Sequence, residues 1–244
     1  MSLSVVIPVY NAVEYLKQTL WSLEDNVDLD ELILIDDGSE LEVAQFLDSI
    51  VYLGKRLIVK HQEHSWFNKT INYGVSLATS DYILVLNSDV QLSKDLDKRL
   101  IETLEASTIA CPYESVGKKL ITLDPMIKKV HPEMIKGACF MFKKSDRDKL
   151  FPIPDSLTHW YGDRYLANRA SKFDGVTFNK DAVIKHAISQ SGKLIDKKLY
   201  YTTIYRDLLN YEKMTGTREF DIKVALRGEI AKVLPNFDYS VFYK

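Results

Sequence analysis

The stretch YILVLNSD, residues 82–89, decides the fold. Its apolar run Tyr82–Leu86 shows no polar alternation, so the strand it forms must be covered on both faces. It then stops in three polar residues, Asn87-Ser88-Asp89. Two earlier stretches repeat the design: Leu3–Val9 runs into Tyr10-Asn11, and Leu32–Ile35 runs into Asp36-Asp37-Gly38-Ser39. A shorter apolar run, Leu57–Val59, supplies another strand. Between the strands, Ala12–Leu23 carries Val13, Leu16, Leu20 and Leu23 at helical spacing, and Leu41–Leu53 and Trp66–Ala78 also read as helices. Buried strands alternating with helices predict a parallel sheet covered on both faces, with right-handed crossovers. Ligands of such sheets bind beyond the carboxyl ends of the strands, so the three polar ends are expected on one rim.

Beyond about residue 110 the rhythm changes. Strand-like Gly137–Phe142 stands among loops holding Pro112, Pro125, Pro132, Pro152 and Pro154. A helix is predicted over Gly162–Ser171, strand-like pieces over Gly175–Phe178 and Ala182–Lys185, and a mainly helical tail after Gly192. Without repeats or a low-complexity linker, one compact unit is expected. A composition of 46% hydrophobic and 27% charged residues excludes a disordered or collagen-like chain. No apolar run approaches the roughly 18 residues of a membrane helix. Met1-Ser2 leads straight into a strand pattern without a basic n-region, so a cytoplasmic protein, at most peripheral to a membrane surface, is expected. Cys111 and Cys139 alone make neither a disulfide framework nor a metal site.

The net charge of −2 conceals a division: residues 1–110 hold 8 basic and 18 acidic side chains, residues 111–244 hold 24 and 16. Such asymmetry suggests different partners for the two halves. Neither G-x-G-x-x-G nor G-x-x-x-x-G-K-[ST] occurs, so a pyrophosphate bound at the rim needs another counter-charge. The obvious one is a divalent metal on Asp89, since hard cations take carboxylate and phosphate oxygens.

The ordered set VVIPVYN (5–11), LILIDDGS (32–39), NKTINYG (68–74), DYILVLNSDV (81–90), KGACFMFKK (136–144), YGDRYLANRA (161–170) and DAVIKH (181–186) resembles the family 2 glycosyltransferases of GT-A fold. The resemblance covers about residues 3–190. It implies an α/β, Rossmann-like, mixed but mostly parallel sheet sandwiched by helices over residues 1–190, with a nucleotide-sugar donor half (1–110) and an acceptor half (111–190). Residues 191–244 then form a mainly helical C-terminal extension on the same unit. The implied activity is a metal-dependent, inverting transfer of one sugar from a UDP- or dTDP-sugar to an acceptor hydroxyl. The competing reading is a nucleotide-sugar-binding module of the same fold with weak catalysis.

By that resemblance, Pro8 and Tyr10 flank a uracil or thymine and Asp37 accepts its imide N–H. Capping of the next helix is the other reading of Asp36 and Asp37. Asp89 is the expected ligand of Mn²⁺ or Mg²⁺, with His186 completing the site; a histidine ligand leans toward Mn²⁺. Asn87 departs from the family's D-x-D pattern but can still hydrogen-bond the ribose or offer its carbonyl, and Ser88 lies between them. Lys69 and Asn72 are placed on the sugar-phosphate, an exposed helix position being the other reading of Lys69, and Gly137 leaves room for the donor sugar or acceptor. Asp163 is the expected general base, a role compatible with capping the helix it begins. Trp160 and Tyr161 are candidates to stack on an acceptor ring, with His159 and Arg164 beside them. Lys118-Lys119, Lys128-Lys129, Lys143-Lys144, Arg147, Lys149 and Lys197-Lys198 give the acceptor half its basic character. They suit an anionic acceptor such as a lipid-linked or phosphorylated glycan or a nucleic acid, or are solvated surface.

Overall fold

The computed structural model describes residues 1–52, 54–116, 119–120, 137–187, 197–217 and 228–229. Its strands are β1 (Leu3–Val9), β2 (Glu31–Asp36), β3 (Arg56–His61), β4 (Tyr82–Leu86), β5 (Val90–Leu92), β6 (Ile109–Val116), β7 (Lys119–Leu120), β8 (Cys139–Lys143) and β9 (Val176–His186). Its helices are α1 (Val13–Asn26), α2 (Leu41–Ser49), α3 (Phe67–Leu77), α4 (Leu96–Thr103), α5 (Arg147–Leu150), α6 (Gly162–Ala170) and α7 (Lys197–Thr215). The sheet runs β3-β2-β1-β4-β8-β6-β9-β5, with β7 paired to β6. The first four strands are parallel, as their unbroken apolar runs require. β8 is antiparallel to both β4 and β6, and β9 is parallel to β6. The carboxyl ends of β1, β2, β4, β6 and β9 therefore share one rim.

Strand periodicity divides the core into two layers. Leu3, Val5, Ile7 and Val9 face α1 and α2 together with Leu32, Leu34, Leu84 and Leu86. Val6, Ile33, Ile35, Ile83 and Val85 face α3 and α6. All of these strand side chains are buried, at 0–2% exposure.

The sequence reading missed β5, α4 and β6, and each omission has a cause. β5 has three residues. α4 is half charged, its anchor reduced to Leu96 and Leu100, with Leu104 just beyond. β6 contains Pro112, which sequence reasoning assigns to a loop. The strand tolerates it at an irregularity, because pairing with β9 slips between Pro112 and Tyr113. The same slip skips from Asn179 to Val183, so the two predicted pieces Gly175–Phe178 and Ala182–Lys185 are one strand. α2 closes at Ser49, short of the predicted Leu53, and α1 continues to Asn26. In the predicted helical tail α7 is present. Residues 191–196, 218–227 and 230–244 of that tail, like Pro125 and Pro132, lie outside the described residues.

Candidate active site

The three polar strand ends do converge. Pro8 and Tyr10 after β1, Asp37 after β2 and Asn87-Ser88-Asp89 after β4 line one cavity of about 400 Å³. β8 begins on this rim, which brings Gly137 and Ala138; β6 and β9 end on it, which brings Glu114 and His186. The loop before α6 and its first turn close the cavity with His159, Trp160, Tyr161 and Asp163.

On the β1–β2 side, Asp37 is buried and immobilised. Its Oδ1 accepts from Ser65 N (2.7 Å), Gln62 Nε2 (2.9 Å) and Ser65 Oγ (3.0 Å), while Oδ2 lies 3.0 Å from His64 Nδ1. Tyr10 and His64 place their rings 4.6 Å apart, tilted by 37°. Gly38 turns the chain at φ +77°, and a Cβ there would press on the His64 backbone at 2.7 Å, so a glycine after Asp37 is a requirement of the turn. Asp36 does not cap α2. It accepts from Ser39 N (2.9 Å) and sits 2.8 Å from His61 Nδ1, while Glu40 occupies the N-cap position.

On the opposite side, Asp89 Oδ1 lies 3.0 Å from His186 Nε2, and Glu114 Oε1 lies 3.2 Å from Nδ1 of the same ring. β5 pairs Val90 with His186, and β6 pairs Glu114 with Ile184, so register alone assembles the trio. Burial pulls the His186 pKa down, but the flanking carboxylates Asp89 and Glu114 outweigh it and hold the pKa up at about 9. Asn87 Oδ1 is a buried atom without a hydrogen-bond partner among the described residues, an arrangement that suits an ion or ligand. No three His, Cys, Asp or Glu side chains among those residues converge as a closed metal cage. The donor set thus fits a divalent cation that takes oxygens from a bound diphosphate as well as from the protein. Glu114, on the far side of the imidazole from Nε2, stands behind the histidine. Sequence reasoning missed it because only the β6–β9 pairing brings it near.

Asp163 is the second residue of α6 rather than its cap; Tyr161, in the left-handed region at φ 62°, precedes the helix. Arg164 N donates to its Oδ1 (2.8 Å) and Gly137 N to its Oδ2 (3.2 Å). Burial raises the Asp163 pKa above the ordinary aspartate value, against the lowering influence of those amides and the Arg164 charge. A Cβ at Gly137 would meet Asp163 at ordinary contact distance (3.5 Å), and this glycine, which lines the cavity, also supplies its N–H to Asp163. At Gly162 space is the requirement, because the Asn68 side chain fills the position of a Cβ. His159 is pressed among Trp66, Phe67 and Trp160, with Nδ1 buried and without a hydrogen-bond partner among the described residues. Burial lowers its pKa to about 4, so the ring is neutral at pH 7.

Three predicted contacts are placed elsewhere. Lys69 is exposed on α3 and does not line the cavity. Asn72 is spent on the backbone of Ile153, donating to its carbonyl (2.7 Å) and accepting from its amide (2.9 Å). The α3 side chains that reach the cavity are Phe67, Asn68, Thr70 and Ile71. Arg164 also stays outside it, its guanidinium 5.0 Å from the centre of the Tyr161 ring. Among the described residues the basic ones do not gather at the site either. Lys143, Lys144 and Arg147 surround Asp81 at the other end of β8 and β4, and Lys149 pairs with Asp146 at 2.6 Å. Lys118, Lys128 and Lys129 lie outside the described residues. Among the described residues no Lys or Arg lines the cavity.

Comparison with known proteins agrees with this geometry. The model of the family described as "Glycosyl transferase family 2" matches residues 4–151. The putative glycosyltransferase EpsH of Bacillus subtilis (strain 168) is 26% identical over 142 residues, which cover 55% of this chain and 40% of that protein. The putative teichuronic acid biosynthesis glycosyltransferase TuaG of the same strain is 30% identical over 138 residues, 54% of each. The chain thus spans about half, or less, of these relatives. Among solved structures, S. aureus TarS 1-349 matches with a TM-score of 0.65 at 16% identity, over 96% of this chain and 78% of that one. GalNAc-T7, solved with UDP, GalNAc and Mn²⁺, gives 0.71 at 17% identity, over 99% and 53%. At such identities the likeness is one of fold, the mixed sheet of GT-A glycosyltransferases. The matched sequence and the shared architecture together show that the chain belongs to glycosyl transferase family 2.

Proposed function

We propose that this chain moves one sugar, with inversion at the anomeric carbon, from a UDP- or dTDP-sugar to an acceptor hydroxyl. The observation that carries the reading is Asp163. Its carboxylate is partly buried, fixed by two backbone amides and raised in pKa, in the wall of the cavity that Asp89 and His186 also line.

Asp163 takes the acceptor proton as the acceptor oxygen bonds to the anomeric carbon, while the bond from that carbon to the diphosphate breaks on the opposite face. A raised pKa makes the carboxylate a stronger base near neutral pH. No general acid is needed, since the diphosphate leaves as an anion. This separates the site from the two-carboxylate arrangement of glycosidases. Pro8 and Tyr10 bracket the base, and Asp37, its orientation fixed by Ser65 and Gln62, accepts the imide N–H. One such buried contact excludes cytosine and the purines better than it separates uracil from thymine. Asp89 and His186 would hold Mn²⁺ or Mg²⁺, with the nitrogen ligand favouring Mn²⁺, and Asn87 lines the same cavity. When bound, the cation supplies neutralisation of the leaving diphosphate.

Likeness to TarS, solved with UDP and with UDP-GlcNAc, and to PcManGT from Pyrobaculum calidifontis, solved with GDP-Man and Mn²⁺, supports a nucleotide-sugar donor and a metal. A thermal-shift series with UDP, dTDP, GDP and CDP, each with and without Mn²⁺, tests the reading. Ligand at about a hundredfold excess over Kd adds roughly 2.7 kcal/mol of stability, so UDP or dTDP with Mn²⁺ should raise Tm and CDP should not. Absence of any shift with UDP and dTDP overturns the donor assignment. Binding without cleavage of any UDP- or dTDP-sugar favours the weakly catalytic module.

A further inference from the structure

Asp207 sits midway along α7 with 0% exposure. A carboxylate taken wholly out of water is costly unless hydrogen-bonded donors surround it. Here Arg206 Nε lies 3.5 Å from Oδ1, and the hydrogen-bond donors come from the loop in front of α6. The amides of His159 and Trp160 both donate to Oδ2 at 2.9 Å, and Thr158 Oγ1 lies 3.1 Å from each oxygen. Arg206, the neighbouring residue, donates from Nη2 to the same Thr158 hydroxyl at 2.6 Å. Two successive amides converging on one anion impose a specific backbone conformation on residues 158–160.

The loop is gripped from its other side by α3. Asn68 Nδ2 donates to the carbonyls of Leu157 (2.9 Å) and Trp160 (3.3 Å), and Asn68 N donates to the carbonyl of Thr158 (3.2 Å). Its carbonyls thus belong to α3 and its amides to α7. α7 adds two aromatic contacts, Trp160 on Tyr200 with ring centres 5.1 Å apart and Tyr161 stacked on Tyr211 at 5.6 Å. The clamped loop supplies His159, Trp160 and Tyr161 to the cavity and ends two residues before Asp163.

We infer that Asp207 is a positioning residue for sugar transfer: it sets the loop that carries the acceptor-side aromatic residues and that aims Asp163. If packing alone were needed, an apolar side chain would fill the place without the cost of a buried charge. The inference rests on the transferase reading of the cavity. It makes α7, which lies beyond the residues matched by the family model, part of the active site.

The test compares wild type with Asp207→Asn and with the milder Thr158→Val, which keeps the carboxylate and removes one donor. UDP binding in the presence of Mn²⁺ is titrated calorimetrically, and turnover of UDP- and dTDP-sugars is expressed per titrated UDP site. A merely structural loss lowers the number of sites and leaves turnover per site alone. Expected for Asp207→Asn is a UDP Kd within about twofold of wild type, faster hydrogen exchange at the His159 and Trp160 amides, and turnover per site down about tenfold or more, since small misplacements of reacting groups cost that much. Thr158→Val should lose less in the same pattern; should Asp207→Asn not fold, that pattern in Thr158→Val decides. Turnover per site within twofold of wild type in whichever variants fold overturns the inference. A wild type that binds UDP and turns over no nucleotide sugar overturns the transferase reading, and the inference with it.

Discussion

Glu114 and His186 stand on neighbouring parallel strands with Oε1 3.2 Å from Nδ1, and Asp89 Oδ1 lies 3.0 Å from Nε2 across the ring. A carboxylate behind a histidine fixes its tautomer and orientation and raises the basicity of the opposite nitrogen. Partners of this kind are worth about 10–100-fold in metal affinity. Glu114→Ala should therefore weaken Mn²⁺ binding in the presence of UDP by that factor, and Glu114→Gln, which keeps an acceptor for Nδ1–H, should lose less. Free Mn²⁺ counted by electron paramagnetic resonance measures it. An unchanged Mn²⁺ Kd in Glu114→Ala would separate Glu114 from the metal site.

Asp163→Asn keeps the size of the side chain and one of its two acceptor oxygens and removes the base. Transfer should fall to background while the UDP Kd with Mn²⁺ stays within about twofold, the pattern of an interaction made only in the transition state. Transfer at near wild-type rate would mean another base. The sign of the pH effect follows from burial, which raises the Asp163 pKa. The base works deprotonated, so activity falls as pH drops through that pKa. The acid limb of kcat/KM should then lie above the ordinary aspartate value of about 3.9.

How much of this was legible in the sequence depends on how local each signal is. The four parallel strands and the polar residues that end β1, β2 and β4 were readable, because apolar runs and their abrupt ends are local features. Asp163 and His186 were reached through resemblance, and the fold places both in the cavity. Glu114 and Asp207 were not legible. Each meets its partners across about 50 to 70 residues of sequence, through strand register or helix packing that no periodicity encodes. Lys69 and Asn72 stand outside the cavity lining for a reason that is local to their helix. Their motif lies on the correct helix, but Phe67, Asn68, Thr70 and Ile71 face the cavity instead. Of the basic residues behind the charge asymmetry, Lys143, Lys144 and Arg147 lie at the opposite end of the sheet from Asn87.

That last placement separates two substitutions of charged residues in the donor half. Asp89→Ala removes a carboxylate beside His186 and should abolish the Mn²⁺ dependence of UDP binding, leaving only weak metal-independent affinity. Lys69→Ala removes an exposed charge on α3 and should leave UDP affinity within about twofold, as surface changes away from a site usually do. Calorimetric titration of UDP with and without Mn²⁺ measures both. Retained Mn²⁺-dependent binding in Asp89→Ala would refute the metal assignment, and a large loss in Lys69→Ala would return that lysine to the diphosphate.

His159 makes acid stability a probe of the cavity wall. Its folded pKa, lowered by burial to about 4, lies below the ordinary histidine value of about 6.5. Between these values the unfolded chain holds a proton that the folded chain does not, so stability falls as pH drops from 6.5 toward 4. Above pH 6.5 the residue contributes no pH dependence, and below about 4 the full penalty, on the order of 3 kcal/mol, is reached. His159→Phe fills the aromatic niche between Trp66, Phe67 and Trp160 without a titrating group. Urea unfolding at pH 7.5 and at pH 4.5 should show wild type losing more stability on acidification than the variant. Equal losses would mean that the imidazole is protonated in the folded protein and that its Nδ1 meets water or a counter-charge in the cavity. Binding of UDP with Mn²⁺ would then be expected to shift the acid transition as well, which the same titration detects.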